Sequence, residues 1–310
     1  EAKIFEELYQ QPRGIPWENL IPHDGRFPVN GSSVKSTLHS VPACQSIVKK
    51  AVVDRLSDAY GVKNFEETGG GYEIKVTLLK DRATITVDTT GAGLHKRGYR
   101  VKDVKAPIKE TLAAALVQLS FWREGRLLVD PCCGSGTIPI EAAMIGMNIA
   151  PGLSRSFSAE EWHMIDGALW KEERKSAFDA IRNDADIQII GLDIDPVAIT
   201  AARQNALEAG VADSIDFHIS DIASLTSDVP RGVIVTNPPY GERIGDQKVI
   251  DKIYNALNRF LKNHKDWSLF LVTTDKDVEQ VVAGRPADRR RKLYNGRMEV
   301  CYYQFHGEKP

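Results

Sequence analysis

The stretch that most constrains this chain is Arg126–Thr137, RLLVDPCCGSGT. Leu127, Leu128 and Val129 run into Asp130, and a tight Gly134-Ser135-Gly136 turn then opens a helical pattern. Strand, glycine loop and helix in that order begin a nucleotide-type α/β fold, where missing Cβ atoms let the backbone approach a ligand. The dinucleotide form G-x-G-x-x-G would need glycine at position 139, and the chain has Pro139 there. What stands instead is D-P-C-C-G-S-G-T, with a carboxylate at the strand end. A carboxylate beside the loop suits a cationic, phosphate-free ligand better than a pyrophosphate. S-adenosylmethionine, with its ammonium and sulfonium, is such a ligand. Glycine-rich turns are common, so this stretch alone does not decide the matter.

A second stretch narrows the reading. Gly232–Gly241 reads GVIVTNPPYG: a buried-type strand (Val233, Ile234, Val235) ending in Asn237-Pro238-Pro239-Tyr240. Two prolines remove two N–H groups and fix φ, which stiffens the loop and leaves its carbonyls pointing outward. The Asn237 amide oxygen and the Pro238 carbonyl can together accept both hydrogens of an exocyclic NH2 while the Tyr240 ring stacks on its base. Pro-Pro by itself is a plain strand-to-helix turn. N-P-P-Y after a strand, downstream of D-x-x-x-G-x-G, is much more specific. In this combination the chain resembles the amino-group methyltransferases that use S-adenosylmethionine and carry an N-P-P-Y motif.

The totals exclude several classes. A chain of 310 residues with 42% hydrophobic content can bury one large core or two smaller ones. It has no run of eighteen apolar residues, so no membrane span is expected. Cys44, Cys132, Cys133 and Cys301 lack C-x-x-C spacing, which indicates neither a zinc site nor a disulfide framework. Adjacent Cys132 and Cys133 read as loop-packing residues in a reducing, cytoplasmic setting, and the scattered histidines give no metal site. The net charge of −2 argues against a uniformly basic nucleic-acid binder but not against local basic faces.

Before the glycine loop lies a smaller unit. Ile4, Phe5 and Leu8 make a helical pattern expected to stop before Pro12, and a start inside a helix-like segment suggests a truncated N-terminus. Phe27-Pro28-Val29 is strand-like. The run Ala43–Tyr60 puts Ile47, Val48, Ala51, Val52 and Leu56 on one helical face, with Lys49, Lys50 and Arg55 largely on the other, as a solvated face or an RNA contact. Glu73–Leu79 and Ala83–Asp88 alternate as strands around a Lys80-Asp81-Arg82 turn. This unit, residues 1–90, resembles the THUMP RNA-binding domain through V-K-S-x-L-H-S at Val34–Ser40 and D-T-T-G at Asp88–Gly91. The resemblance makes Lys35 an RNA-binding candidate.

Residues 91–105, GAGLHKRGYRVKDVK, carry Lys96, Arg97, Arg100, Lys102 and Lys105 against Asp103. They read as a solvated linker or as a basic strap on phosphates, with Tyr99 available to stack. The phrase L-H-K-R-G-Y-R is close to one carried by the bacterial large-subunit rRNA guanine-N2 methyltransferases, and K-L-Y-N-G at Lys292–Gly296 is also similar to that family. Ala106–Leu119 opens with Pro107 and continues as a helix, and the resemblance places its start over the cofactor, with Thr111 a candidate. An insertion over residues 150–186, too long for a plain αβ connection, is a lid, a substrate wall or simply packing for Trp162 and Trp170. Asp193 ends the second strand, where an acidic residue commonly accepts ribose hydroxyls, with Ile194 after it. Asp195-Pro196 caps the next helix. Asp221 and Ile222 follow the third strand, either flanking the adenine or, for Asp221, as a loop-terminal carboxylate. Arg289–Lys292 and Glu299–Phe305 make a final hairpin whose four consecutive cations either discourage edge pairing or touch phosphates.

The expectation is an α/β chain: a doubly wound, mostly parallel Rossmann-like class I methyltransferase domain over residues 106–310, behind the small α/β THUMP-like domain. The resemblance implies transfer of a methyl group to N2 of a guanine in 23S rRNA or a large-subunit precursor. It places Asn237, Pro238 and Tyr240 at the acceptor. Asp130, Gly134, Gly136, Asp193, Ile194, Asp221, Ile222 and Thr111 fall at the cofactor, and Lys35, Lys96, Arg97 and Arg100 on RNA. A tRNA guanine-N2 methyltransferase shares both signatures. Protein-glutamine and DNA-adenine enzymes share only N-P-P-Y, and a non-catalytic RNA-binding or assembly factor would explain only the THUMP-like half.

Overall fold

The computed structural model describes residues 1–101, 107–240 and 247–308. Lys102 and Lys105 of the expected strap, Ala106 at the expected domain start, and Gly241 after the N-P-P-Y tetrad lie outside the described residues. The chain divides into two compact units: Glu1–Gly93 with Ser156–Arg174, and Leu94–Arg155 with Lys175–Pro310.

In the first unit, α1 (Phe5–Arg13) is followed by β1 (Val29–Val34), α2 (Val41–Tyr60), β2 (Glu73–Leu79) and β3 (Arg82–Asp88). The helix α1 runs through Pro12 instead of stopping before it. Pro12 is buried in the last turn, where only one backbone bond is forfeited, and its carbonyl accepts from Trp17 Nε1 at 2.8 Å. The strand β1 continues past Val29 because Gly31 admits its neighbour: a Cβ there would sit 2.9 Å from Val76 Cγ1. It pairs parallel to β2, with α2 as the crossover, and β2 turns antiparallel into β3. Lys80 and Asp81 make that two-residue turn with φ of 51° and 63°, the twist that suits a tight hairpin. Ile74, Val76 and Leu78 face Cys44, Val48, Val52 and Leu56 in one core. Ala159 and Trp162 from the 156–174 segment join that core, with Trp162 stacked on Tyr72 at 5.1 Å.

The second unit holds α3 (Glu110–Leu119), β4 (Leu127–Asp130), α4 (Thr137–Gly146) and, after α5 (Gly167–Asp179), which begins in the first unit, β5 (Gln188–Asp193). Then come α6 (Pro196–Glu208), β6 (Asp216–Ile219), β7 (Val233–Thr236), α7 (Gln247–Asn263), β8 (Ser268–Thr273), β9 (Arg289–Asn295) and β10 (Met298–Phe305). The seven strands lie in the order β6-β5-β4-β7-β8-β10-β9. Those from β6 to β8 are parallel, and β10 runs antiparallel to both β8 and β9. Strands β4 and β7 are buried along their whole length, as expected where helices cover both faces. Strand order reverses at β4, which opens the crevice at the carboxyl ends where ligands bind in such sheets. Asp195 starts α6 by accepting from Val197 N at 2.8 Å, with Pro196 in its first turn. Among the described residues no helix is long and apolar enough to cross a membrane, and no His, Cys, Asp and Glu group could hold a metal ion.

Candidate active site

The crevice is built from the ends of four strands. Strand β4 delivers Asp130 and β7 delivers Thr236 beside it. Thr236 Oγ1 donates to Asp130 Oδ1 at 2.7 Å, and the Cys132 N–H donates to the same oxygen at 3.1 Å. Asp130 is 1% exposed, and this burial pushes its carboxyl up to about 7 against the two hydrogen bonds that lower it. Burial also holds the Cys132 and Cys133 thiols protonated. Gly134 and Gly136 have φ of +53° and +82°. A Cβ on Gly136 would sit 3.0 Å from both Ala202 Cβ and Phe217 Cζ. The turn is therefore reserved for glycine on two counts, conformation and space.

Asp193, at the end of β5, reaches across to this turn. Its Oδ2 accepts from Gly134 N at 2.9 Å and its Oδ1 from Asp195 N at 3.0 Å. Each carboxylate oxygen keeps acceptor capacity for a ligand hydroxyl. Ile194, next in sequence, is an apolar side chain that is 64% exposed. Asp221 accepts from Ala223 N at 2.9 Å and pairs with Lys252, and the Lys252 ammonium holds its carboxyl below the usual range. Ile222 is 6% exposed and belongs mostly to the core. Thr111 is exposed in the first turn of α3.

The acceptor loop follows Thr236 directly. Asn237 Oδ1 is buried and has no hydrogen-bond partner among the described residues. Pro238 is buried. The Tyr240 side chain is largely enclosed, 9% exposed, and its hydroxyl accepts from Asn295 Nδ2 at 3.0 Å. The ring packs with the core of the unit, so the expected stacking on a base requires it to be uncovered.

Three side chains that hold this site escaped the sequence reading. Thr236 reads as one more strand residue, yet it ties the glycine loop to the acceptor loop. Asn205 is 1% exposed; its Nδ2 donates to Ser135 O at 3.1 Å and its Oδ1 accepts from Val101 N at 3.1 Å. Its signal was a polar residue on the face of α6 that buries Ala198, Ala201 and Ala202. Asn295 lay inside K-L-Y-N-G, a phrase singled out without a role for any one residue.

The expected basic strap is corrected by the structure. Arg97 donates to Glu141 from Nε and Nη2, both at 3.4 Å, with side chains 11% and 3% exposed. Arg100 donates to Glu110 Oε1 at 2.8 Å, to Ile108 O at 2.9 Å and to Thr137 Oγ1 at 3.0 Å. Tyr99 is 2% exposed and donates to Glu141 Oε1 at 3.0 Å. Glu141 and Glu110 are buried carboxylates that need cations, so these arginines bind inward and the tyrosine is core. Lys96 and, in the first unit, Lys35 are exposed.

A family profile described as "RMKL-like, methyltransferase domain" matches residues 97–304, and a THUMP domain profile matches residues 2–88. The chain belongs to the RMKL-like methyltransferases. This RMKL-like methyltransferase is 47% identical over 307 residues to YpsC of Bacillus subtilis (strain 168), provisionally designated an RNA methyltransferase, covering 98% of this chain and 80% of that protein. It superposes with a TM-score of 0.93 and 46% identity on a Listeria monocytogenes protein provisionally designated an N6-adenine-specific DNA methylase, covering 99% of this chain and 80% of that one. Against SMU.472, provisionally designated a methyltransferase and crystallised with SAH, the TM-score is 0.92 at 44% identity, covering 100% of this chain and 82% of that one.

Proposed function

We propose that this chain transfers a methyl group from S-adenosylmethionine to the exocyclic N2 of a guanine in 23S ribosomal RNA. The observation that carries the reading is the buried, unpartnered Asn237 Oδ1 at the end of β7. Leaving such an acceptor unpaired costs about 1–3 kcal/mol, and an incoming amine N–H offsets that cost. The crevice fits the cofactor: a glycine turn without side chains, the Asp193 carboxylate with acceptor capacity, exposed apolar Ile194, and Asp130 behind the loop. Asp193 would hold the ribose hydroxyls, Gly134 and Gly136 the amino-acid portion, and Asp221 with Ile222 the adenine. S-adenosylmethionine supplies an electrophilic methyl group when bound. The chain's own residues align the acceptor and exclude water. The guanine amine lone pair is delocalised into its ring, and accepting its hydrogens at Asn237 Oδ1 and Pro238 O draws that pair back onto nitrogen. The base must leave its helix or loop to reach this depth.

RNA as substrate is supported by the THUMP domain and by the designation of the Bacillus relative. Guanine N2 in large-subunit rRNA is the finer part of the reading, and it rests on L-H-K-R-G-Y-R and K-L-Y-N-G. Nucleoside mass spectrometry of 23S rRNA, tRNA, duplex DNA and total protein, each incubated with enzyme and cofactor, tests it. N2-methylguanosine in 23S rRNA is the expected product. The same nucleoside confined to tRNA moves the assignment to tRNA, and N6-methyladenine, as the Listeria designation would have it, or methylglutamine overturns the acceptor.

A further inference from the structure

The four cations Arg289–Lys292 divide by strand alternation into two pairs with different surroundings. Arg290 donates to Glu279 Oε1 from Nε at 2.6 Å, and Lys292 lies 2.6 Å from Glu299 Oε2. Their cross-strand neighbours are Tyr303 and Cys301, which pack with the core beneath α7. Arg289 and Arg291 stand on the opposite face. Their cross-strand neighbours Gln304 and Tyr302 donate to the carbonyls of Leu119 and Leu116 in α3. Among the described residues neither arginine has a carboxylate partner, and the buried Arg291 Nε has no acceptor.

Discouraging edge pairing explains charges on an edge strand. It does not explain a cationic N–H buried without an acceptor, which is costly unless an anion arrives. The same face of β9 continues through half-buried Leu293 to Asn295, whose amide holds the Tyr240 hydroxyl. With a strand rise of ~3.3 Å per residue, Arg291 lies ~13 Å and Arg289 ~20 Å along the strand from Asn295. Those are distances spanned by a few nucleotides.

We propose that Arg289 and Arg291 form a track for the ribose-phosphate backbone of single-stranded RNA, running along the α3 face of β9 toward the acceptor loop. The proposal rests on the RNA reading above and names which cations serve it. Arg97 and Arg100, engaged by internal carboxylates, do not.

Two double variants that remove equal charge provide the test. Arg289→Gln/Arg291→Gln strips the track, and Arg290→Gln/Lys292→Gln strips the paired face. Binding of a fluorescein-labelled, mixed-sequence single-stranded RNA of fifteen nucleotides is followed by anisotropy between 50 and 300 mM salt. Two lost phosphate contacts should flatten the slope of log affinity against log salt by about 1.4 and weaken low-salt binding by about tenfold or more, with the paired-face variant near wild type. S-adenosylhomocysteine affinity, measured by calorimetry, confirms that each variant is folded. If Arg291→Gln does not fold, exposed Arg289→Gln alone should flatten the slope by about half as much. Equal effects of the two doubles, or none from the track variant, overturn the track while leaving the RNA reading intact. A wild-type protein that ignores this RNA but binds duplex DNA of the same length overturns both.

Discussion

Asp193 at the end of β5 and Asn237 just after β7 lie on either side of β4, and under the proposed function they divide the site between cofactor and acceptor. Asp193→Ala removes a charge-assisted acceptor, worth about 1.5–3 kcal/mol per hydrogen bond, so S-adenosylhomocysteine should bind at least about tenfold more weakly by calorimetry. Unchanged affinity in a folded variant would refute that role. If Asn237 addresses the amine and not the adenosine, as proposed, Asn237→Ala should leave this affinity within about twofold and abolish methyl transfer in single-turnover assays. Asp130 makes a different kind of prediction. Its carboxyl titrates at about 7 in the fold and at about 4 in the unfolded chain. Between those values the folded protein holds a proton that the unfolded chain has released, so this group's contribution to stability declines as pH rises from about 4 to about 7. Asp130→Asn cannot titrate. The melting temperature of the variant minus that of wild type should therefore climb through this window and level off above it; a flat difference would show that Asp130 is charged throughout.

At the level of elements, the hairpin of β9 and β10 is tied to the candidate acceptor loop, because Asn295 at its turn donates to Tyr240. If Tyr240 positions the base, Asn295→Ala should slow single-turnover transfer by about tenfold at unchanged cofactor affinity. Adding it to Tyr240→Phe should then cost little more, the non-additivity expected of one shared bond. The glycine turn is less forgiving. Gly136→Ala places a side chain at φ +82° and 3.0 Å from Ala202 and Phe217, a loss of about 1–3 kcal/mol readable by denaturant melts. Elements of this kind were legible in the sequence where local rules act alone: the apolar run into Asp130, the glycine turn, Asp195-Pro196 at the start of α6, and a hairpin turn after Leu79, although the turn is the two residues Lys80-Asp81 and Arg82 already belongs to β3. What stayed hidden is tertiary pairing. Nothing local in L-H-K-R-G-Y-R tells that Arg97 and Arg100 turn inward, because their partners Glu141 and Glu110 stand on two different helices. The four-cation run likewise divides into two kinds only once β10 is laid beside it.

Across the whole molecule, the first unit is made from two separate pieces of chain, Glu1–Gly93 and Ser156–Arg174. Trp162 completes its core; it is 6% exposed, stacks on Tyr72, and donates from Nε1 to Gly71 O at 2.9 Å. Trp162→Ala should cost about 3–5 kcal/mol. That loss should be confined to the first unit: amide exchange in α2 and β2 speeds up while β4, β7 and β8 keep their protection and S-adenosylhomocysteine still binds. Uniformly faster exchange would instead mean that the units unfold as one. The same discontinuity sets an order of events during synthesis. Domains usually fold from the N-terminus as they leave the ribosome, but this one lacks Trp162 until a stretch of the second unit, including β4 and its glycine turn, has already been translated. The nascent first unit therefore waits with Tyr72 uncovered, and the two units must mature in overlapping time, not in succession.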